Sequence, residues 1–328
     1  MKRASVLLFC LVMVVVTIAP NVMSAEKVTL RLNYVAAGLH APFYMALKKG
    51  YYAKQNLDVD IVEGTGSATT VKLIGNRSDT FGFTDSGTAI VAITQGMPVK
   101  IISPIYQVNA FAVVTLAENK IDSPKDLEGK RLGITQGDAL SQLFPAFVVA
   151  NGLNEKKINC ISMDANAKSM ALMNGQIDAI LGGEDDQAVL LRQKGLNVKV
   201  LRFSDYGVPT IGLSLIANDE TIKKNPGQVR RFLAATLQGW NEARKNMKSA
   251  IAIEKQYIPT LEESSALEGL KVAVSCLFSK DSNELGKAAE ADWANTVDLM
   301  VKYRGLDSKF KPSDFYTNET LPSKLPKK

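Results

Sequence analysis

The sequence predicts an α/β protein of two lobes, with two strand crossings that form a hinge and a helical C-terminal tail. Strand-like and helix-like patterns alternate from Val28 onwards, as is typical of α/β domains. A self-contained α/β block of about a hundred residues interrupts the first unit, and the last third shows helical periodicity. We therefore expect one lobe at 26–114 plus 215–328 and a second lobe at 115–214, with crossings at Val114–Thr115 and Ser214–Leu215.

The first residues have the pattern of a cleaved secretory signal peptide. Lys2 and Arg3 precede an apolar run at 6–18, and small residues follow up to Ala25. The apolar run is too short to span a bilayer. Because bulky residues flank Cys10, it does not resemble a lipid-attachment cysteine. We expect a signal peptide at 1–25 and a secreted mature chain.

The mature chain carries a mild and dispersed positive charge. The formal net charge of +6 falls to +4 once Lys2 and Arg3 are removed. Nucleic-acid-binding proteins usually concentrate such charge on one face, so we expect no nucleic-acid partner. Cys160 and Cys276 remain after processing. Two buried free thiols or one disulfide both fit an oxidising compartment.

The segment 30–52 carries the first candidate binding residues. A strand-like alternation leads into a loop, and a helical pattern follows. The loop contains Asn33, Tyr34 and His40, which is the only histidine in the chain. Loops at the carboxyl ends of strands are where α/β proteins bind ligands. We interpret this loop as one wall of a small-molecule pocket.

Two further strand ends carry polar side chains. Asp85 and Ser86 follow a short buried strand pattern, and the acidic run Glu184-Asp185-Asp186 follows an apolar strand and a Gly-Gly turn. A hydrated surface loop is the alternative interpretation of the acidic run, but its position favours the cleft. A carboxylate there suits an amino group or a ring N–H of a ligand through charge-assisted hydrogen bonds.

The sequence lacks the residues that several kinds of metal, cofactor and catalytic site require. A single histidine and the lack of a CxxC pair argue against a metal site, and the acidic run lacks the spacing of a calcium loop. No serine lies in a GxSxG motif. The GxGxxT spacing at 64–69 lacks the third glycine of a dinucleotide fingerprint and fits a turn with a helix cap. We expect no cofactor, no metal and no catalytic residue.

Five segments carry a family resemblance: 32–64 (LNYVAAGLHAPFYMALKKGYYAKQNLDVDIVEG), 129–137 (GKRLGITQG), 175–184 (GQIDAILGGE), 217–235 (ANDETIKKNPGQVRRFLAA) and 314–322 (DFYTNETLP). This set resembles the thiamine-pyrimidine-precursor branch of the solute-binding proteins of ABC importers. The wider relatives bind sulfonates, nitrate and taurine. The similarity covers essentially the whole mature chain.

The resemblance implies a type II periplasmic binding protein, which closes two α/β lobes around a ligand and presents it to an ABC permease in the inner membrane. The positions that match the family's ligand contacts are Asn33, Tyr34, His40, Gly137, Asp138 and Glu184. Tyr34 stands where the family usually has a tryptophan that stacks on the ligand. Glu184 would read an aminopyrimidine edge, and the turn at Gly137 and Asp138 would meet an anionic or hydroxyl substituent.

The same relatives include fungal pyrimidine-precursor synthases, which use a lysine-bound pyridoxal phosphate, a histidine and a cysteine cluster. By this resemblance, Thr84 stands at the lysine position and Thr88 at the histidine position. The cysteine cluster would fall near 208–213, which contains no cysteine. Because a Schiff base requires a lysine amine, we expect no enzyme activity.

The leading hypothesis is a monomeric periplasmic binding protein for a small aromatic or heteroaromatic nutrient, with a pyrimidine precursor of thiamine as the best single candidate. Tyr34 and Tyr44 would stack on the ligand, and Asn33, Asp85 and Glu184 would hydrogen-bond its polar edge. One alternative is a sensor that reports to a partner other than a permease. Another is an oxyanion binder for sulfonate or nitrate, against which the acidic run argues.

Overall fold

The computed structural model describes residues 24–328, apart from the side chains of residues 165 and 166. The predicted signal peptide at 1–25 lies outside the described residues, except for its last two positions. The strands are β1 Glu26–Arg31, β2 Leu57–Val62, β3 Phe81–Asp85, β4 Val99–Pro104, β5 Phe111–Leu116, β6 Arg131–Ile134, β7 Asn159–Ser162, β8 Ala179–Gly183, β9 Val198–Arg202 and β10 Leu213–Asn218. The helices are α1 Ala41–Lys48, α2 Tyr51–Lys54, α3 Ser67–Gly75, α4 Ser86–Thr94, α5 Ala139–Ala150, α6 Ala165–Met173, α7 Val189–Gln193, α8 Asp219–Lys224, α9 Pro226–Lys245, α10 Met247–Tyr257, α11 Glu263–Ser275 and α12 Glu290–Arg304.

Within the described residues, the strands form two five-stranded sheets of the same design. The first sheet has the order β2-β1-β3-β10-β4, and the second has the order β7-β6-β8-β5-β9. In each sheet three neighbouring strands are parallel, and the fourth runs antiparallel to both of its neighbours. The carboxyl ends of the parallel strands therefore meet at one edge of each sheet, where ligands bind in α/β proteins.

The chain passes between the two sheets through residues 105–110 and 203–212. β5 pairs with the second sheet from Phe111 onwards, and β10 pairs with the first sheet from Leu213 onwards. The crossings expected at 114–115 and 214–215 thus lie inside strands, because a strand buried on both faces shows no alternation that marks its start. Asn109 joins the two passages, since its Nδ2 donates to Thr210 Oγ1 at 2.7 Å. The lobe boundaries themselves stay a prediction.

Helices α8 to α12 form the predicted C-terminal helical tail. α9 buries Phe232, Leu237 and Trp240 against the first sheet and α1, in the same core as Phe43. Burial of each such large apolar side chain stabilises the fold by about 1.5–3 kcal/mol. α11 packs against the loop after β1 and also against the residues that follow β8. It therefore connects elements that are attached to different sheets.

The structure also settles how the cysteines and tryptophans are used. Cys160 is exposed and Cys276 is buried, and both are free thiols. The expected alternative of two buried free thiols is therefore right about the missing disulfide and about Cys276, but wrong about the burial of Cys160. Trp240 and Trp293 are buried, as expected for packing residues. Across residues 24–328, every helix is too short or too polar to cross a membrane.

Candidate functional site

The loop after β1 holds Asn33 and His40 in one hydrogen-bonded unit. His40 ends a short 3₁₀ turn, Gly38–His40, and is 1% exposed. Its Nδ1 accepts a hydrogen bond of 3.0 Å from the backbone N–H of Ala37. Its Nε2 lies 2.8 Å from Asn33 Oδ1. The imidazole therefore holds both the loop backbone and the side chain of Asn33 in place.

Burial keeps this imidazole neutral. The rings of His40 and Phe83 meet edge to face, with their centroids 6.0 Å apart and their planes at 83°. Burial lowers the pKa of His40 to about 3, because the charged form is poorly solvated in an apolar environment. At neutral pH His40 therefore acts through hydrogen bonds and carries no charge.

Helix α3 secures the strand ends that carry Asn33 and Asp85. Thr70 Oγ1 donates to the carbonyl oxygen of Leu32 at 2.8 Å. The backbone N–H of Asp85 donates to Ser67 Oγ at 3.0 Å. These two bonds join α3 to the ends of β1 and β3, so Asn33 and Asp85 lie at the same edge of the first sheet.

The two tyrosines expected to stack on a ligand occupy different environments. Tyr34 is 46% exposed, so its ring is accessible. Tyr44 is 4% exposed and packs against Tyr257, with ring centroids 5.3 Å apart. Burial, together with the nearby Glu254 and Glu63 carboxylates, raises the pKa of Tyr44. Tyr44 is thus a packing residue between α1 and α10, and a stacking role for Tyr34 stays a prediction.

Asp85 and Ser86 are both engaged at the start of α4. Asp85 caps the helix, since its Oδ1 accepts from the Thr88 backbone N–H at 2.7 Å and from Thr88 Oγ1 at 2.9 Å. Ser86 is fully buried, and its hydroxyl donates to the carbonyl oxygen of Gly212 at 2.6 Å. Ser86 therefore joins the end of β3 to the passage at 203–212, whereas Asp85 remains partly exposed at the sheet edge.

The second sheet has a matching helix cap at the end of β6. Asp138 Oδ1 accepts from the backbone N–H of Ser141 at 2.7 Å, and its Oδ2 lies 3.8 Å from Lys168 Nζ. Gly137 has a φ of +82°, which favours glycine, and the space around it is open. The predicted Gly137–Asp138 turn is thus exposed, and its carboxylate already has a cationic neighbour.

Arg304, at the end of α12, lies between these two caps. Burial lowers the pKa of its guanidinium, and the carboxylates of Asp85 and Asp138 oppose that effect. Its Nε donates to Gln142 Oε1 at 2.6 Å. A narrow space beside it is lined by Asp85 from the first sheet and Phe111 from the second. This guanidinium therefore lies near carboxylates at or beyond the ends of strands of both sheets, and forms no ion pair with either among the described residues.

The acidic residues after β8 form one turn of π-helix, Glu184–Ala188. Glu184 Oε2 lies 2.5 Å from Arg202 Nη2 and 2.7 Å from Arg202 Nε, so this carboxylate is already paired. Asp185 Oδ2 accepts a hydrogen bond of 3.1 Å from the hydroxyl of Tyr106. Burial is the main cause that raises the pKa of Asp185 to about 7. Among the described residues, neither Asp185 nor Asp186 forms an ion pair, and Asp185 is the less exposed of the two.

Helix α11 brings the two predicted walls together. A Cβ on Gly38 would stand 1.8 Å from the carbonyl oxygen of Ala266, so the loop backbone touches the helix. A Cβ on Gly269 would stand 3.3 Å from the carbonyl oxygen of Asp185. Ala266 and Gly269 are three residues apart and share one helix face. The loop that carries Asn33 and the turn that carries Asp185 therefore pack against the same face of α11.

The cations of this region were missed by sequence reasoning. Arg202, Lys168 and Arg304 come from β9, α6 and α12, so no short motif contains both a cation and its carboxylate. Lys168 is 2% exposed, and its Nζ donates to the carbonyl oxygen of Leu181 at 2.6 Å. Burial lowers its pKa. Helix α6 mixes polar and apolar residues, so the sequence gave no signal that Lys168 is buried.

A family model described as NMT1/THI5 like matches residues 38–250. The chain belongs to the NMT1/THI5-like family. Riboflavin-binding protein RibY of Chloroflexus aurantiacus is 25% identical, over 93% of this chain and 89% of its own length. The formylaminopyrimidine-binding protein of Halalkalibacterium halodurans is 22% identical, over 90% and 91%. A 4-amino-5-hydroxymethyl-2-methylpyrimidine phosphate synthase of Schizosaccharomyces pombe is 26% identical, over 89% and 85%.

Solved structures of periplasmic binding proteins share this fold. The aliphatic sulphonate binding protein SsuA of Escherichia coli superposes with a TM-score of 0.71 at 16% identity, over 92% of this chain and 94% of its own. The nitrate-binding protein NrtA of Synechocystis PCC 6803 gives 0.58 at 14% identity, over 74% and 69%. The predicted family resemblance and the predicted fold class are both confirmed.

Proposed function

We propose that this member of the NMT1/THI5-like family is the solute-binding component of an ABC-type importer. It captures a small aromatic or heteroaromatic nutrient between a lobe at 26–114 plus 215–328 and a lobe at 115–214, and delivers it to a membrane permease. The observation that carries the proposal is the packing of the Asn33 loop and the Asp185 turn on one face of α11. An amide and a carboxylate brought together in this way suit the polar edge of a neutral or cationic ring.

The ligand that we favour is a pyrimidine precursor of thiamine. A relative named for binding formylaminopyrimidine, and others named as synthases of a pyrimidine phosphate, support this choice. The exposed ring of Tyr34 stacks on the base, and Asn33 and Asp185 bind its polar edge. The turn at Gly137 and Asp138, with Arg304 nearby, accommodates a hydroxyl substituent.

The protein works in the periplasm as a monomer, after removal of residues 1–25. The fold that it shares with periplasmic binding proteins supports this location. An importer and a sensor differ in one measurable respect, namely whether cells lacking the protein still take up the ligand. We expect a deletion strain to lose uptake of the labelled pyrimidine, and complementation with the full chain to restore it.

The protein binds its ligand without changing it covalently. Thr84, at the position of the synthase lysine, is buried, and its hydroxyl donates to the carbonyl oxygen of Ser67 at 3.3 Å. Thr88, at the position of the synthase histidine, donates to Asp85. These residues do not fit pyridoxal phosphate, because neither supplies an amine for a Schiff base or an imidazole. Mixing the protein with pyridoxal phosphate should leave the absorbance of the free aldehyde unchanged.

A thermal-shift screen tests the proposed ligand class. The panel contains 4-amino-5-hydroxymethyl-2-methylpyrimidine, a formylaminopyrimidine, riboflavin, an alkanesulfonate and nitrate. A ligand at a hundred times its Kd stabilises the folded state by about 2.7 kcal/mol, so Tm should rise by several degrees with a pyrimidine. A rise with the alkanesulfonate or nitrate alone would overturn the ligand class. No rise with any compound would count against the binding function.

A matched pair of variants places the binding event in this cleft. Asp185→Asn removes the carboxylate without changing its shape, and we expect calorimetry to show weaker binding of the aminopyrimidine by about 1–3 kcal/mol. Asp298→Asn makes the same change at an exposed position on α12 and should leave the affinity unaltered. Equal affinities in the two variants would contradict the placement of the site.

A further inference from the structure

The hydrogen-bond directions around His40 are determined by one donor. The backbone N–H of Ala37 can only donate, so His40 Nδ1, which lies 3.0 Å away, must be the unprotonated acceptor. A neutral imidazole then carries its proton on Nε2. Nε2 therefore donates, and the atom of Asn33 that lies 2.8 Å away must be the carbonyl oxygen Oδ1.

These hydrogen bonds leave the amide N–H groups of Asn33 available to a ligand. Its Oδ1 is taken by His40, whereas its Nδ2 makes no hydrogen bond to any described residue of the chain. Rotation of the amide by half a turn would place two N–H donors against each other, so the orientation is fixed. Asn33 is half-buried at the edge of the first sheet. Its amide N–H groups are the part that a molecule in the cleft can reach.

We propose that His40 is a positioning residue that holds Asn33 as a hydrogen-bond donor, so that the cleft selects ligands presenting an acceptor, a ring nitrogen or carbonyl oxygen, at that point. This inference rests on the proposed function and adds the polarity of the ligand to it. The Asp185 turn, which packs on the same face of α11, supplies the opposite polarity, because Asp185 is an acceptor whose Oδ2 already binds Tyr106. A ring nitrogen next to an amino group offers the matching acceptor and donor.

We expect the hydrogen bonds of His40 to Ala37 and Asn33 to be unchanged between pH 5 and 8. The groups that pack against the imidazole are the Phe83 ring, the Asn33 amide and the Ala37 backbone. Among the titratable groups near the loop, Glu63 accepts from the Ala36 backbone N–H at 2.7 Å. Arg31 donates to the Glu63 carbonyl oxygen. Within the described residues, no charged side chain forms a hydrogen bond or an ion pair with His40.

A direct test needs no ligand. Because the chain has one histidine, a two-bond ¹H–¹⁵N correlation spectrum of the tag-free mature protein shows one imidazole, which needs no assignment. We expect the shifts of the Nε2–H tautomer, unchanged between pH 5 and 8. An Nδ1–H tautomer, or an imidazolium that titrates in this range, would overturn the inference. This result stands whether or not the proposed ligand class is correct.

Selectivity between two probes tests the consequence for binding. The pair is 4-amino-2-methylpyrimidine and 3-methylaniline, which has the same shape but no ring nitrogen. We expect the wild type to prefer the pyrimidine about tenfold, as the loss of one hydrogen bond predicts. His40→Leu should abolish this preference, while His40→Gln should retain part of it, because the glutamine N–H can still hold Asn33 Oδ1.

The outcomes separate this inference from the proposed function. If His40→Leu and His40→Gln weaken both probes equally, His40 serves only the fold and the inference is wrong. If the wild type binds neither probe, the proposed ligand class fails, and the tautomer measurement alone decides the role of His40. Asn33→Asp gives a further check, because a carboxylate there offers no donor and should remove the preference for the pyrimidine.

Discussion

Tyr106 donates a hydrogen bond from its hydroxyl to Asp185 Oδ2 at 3.1 Å, and this bond joins a passage between the sheets to the acidic turn after β8. Tyr106 is 1% exposed and meets Trp240 edge to face, with ring centroids 6.4 Å apart. Phe83 also packs on Trp240, and His40 packs on Phe83. A continuous row of rings thus connects the loop after β1 with the turn after β8, so a change at one of them can reach the other through packed side chains.

Asp185→Asn is expected to stabilise the protein more as the pH rises. The pKa of Asp185 is about 7 in the folded state, against an ordinary value of 3.8. Between these pH values the folded state keeps a proton that the unfolded chain releases, so wild-type stability falls from pH 4 to 7. Urea unfolding should show a gain of about 1–3 kcal/mol for Asp185→Asn at pH 8 and little gain at pH 4. A gain that does not change with pH would contradict the raised pKa.

Tyr106→Phe tests the hydrogen bond between the Tyr106 hydroxyl and Asp185 Oδ2. Removing the hydroxyl leaves Asp185 Oδ2 without its donor, so we expect a loss of about 1 kcal/mol at pH 7. In the background of Asp185→Asn, the same change should cost less, because the charge that the hydroxyl stabilised is gone. A double-mutant cycle measures this coupling. If the effects of the two substitutions on the free energy of unfolding simply add, the hydroxyl and the carboxylate do not interact.

Glu184→Gln should weaken both the fold and ligand binding, through Arg202. The side chains of this ion pair are 19% and 18% exposed, and the Arg202 guanidinium also donates to Ser275 Oγ on α11 at 3.2 Å. Loss of the carboxylate charge leaves a half-buried cation without its partner, at a cost of about 1–3 kcal/mol. The double variant Glu184→Gln/Arg202→Met should recover stability in urea unfolding. Failure to recover it would show that the pair is not the cause.

The sequence could predict the strand ends of the site, because each polar residue interrupts an apolar pattern at a definite point. Asn33, Asp85 and the acidic turn were found in this way, and all lie at sheet edges. The hydrogen-bond partners of each side chain could not be predicted, because they are distant in sequence. Ser86 is an example, since its hydroxyl binds the carbonyl oxygen of Gly212, which lies 126 residues further along the chain.

The counter-ions show the same limit. Glu184 lies at a strand end, where a ligand-binding carboxylate is expected, but the structure pairs it with Arg202. Nothing in the sequence around Arg202 in β9 indicates this role. The carboxylate of the next residue, Asp185, binds the Tyr106 hydroxyl and forms no ion pair with a described residue. A sequence pattern of period two or 3.6 identifies the face on which a residue lies. It carries no information about which charged residue of another element reaches the same point.

Gly38→Ala should disturb the loop without removing any polar group. The added methyl would meet the backbone carbonyl oxygen of Ala266 at 1.8 Å, so the loop must move away from α11. We expect a loss of about 1–3 kcal/mol in stability, together with weaker ligand binding. Gly227→Ala is the control, because the new methyl would have its nearest neighbour, Arg231, at 3.9 Å and lie in a helix. Equal stability of the two variants would mean that this loop does not rest on α11.

Glu254→Gln is expected to stabilise the protein increasingly from pH 5 to 9. Glu254 is fully buried in α10, both of its carboxyl oxygens lack a hydrogen-bond partner in the described chain, and burial raises its pKa to about 9. The unfolded chain releases this proton near pH 4.5, so wild-type stability falls through the window and glutamine does not. Urea unfolding at pH 5, 7 and 9 should show a variant advantage that reaches about 1–3 kcal/mol at pH 7. The exposed Glu118→Gln should show no such trend, and parallel curves for the two variants would mean that Glu254 ionises normally.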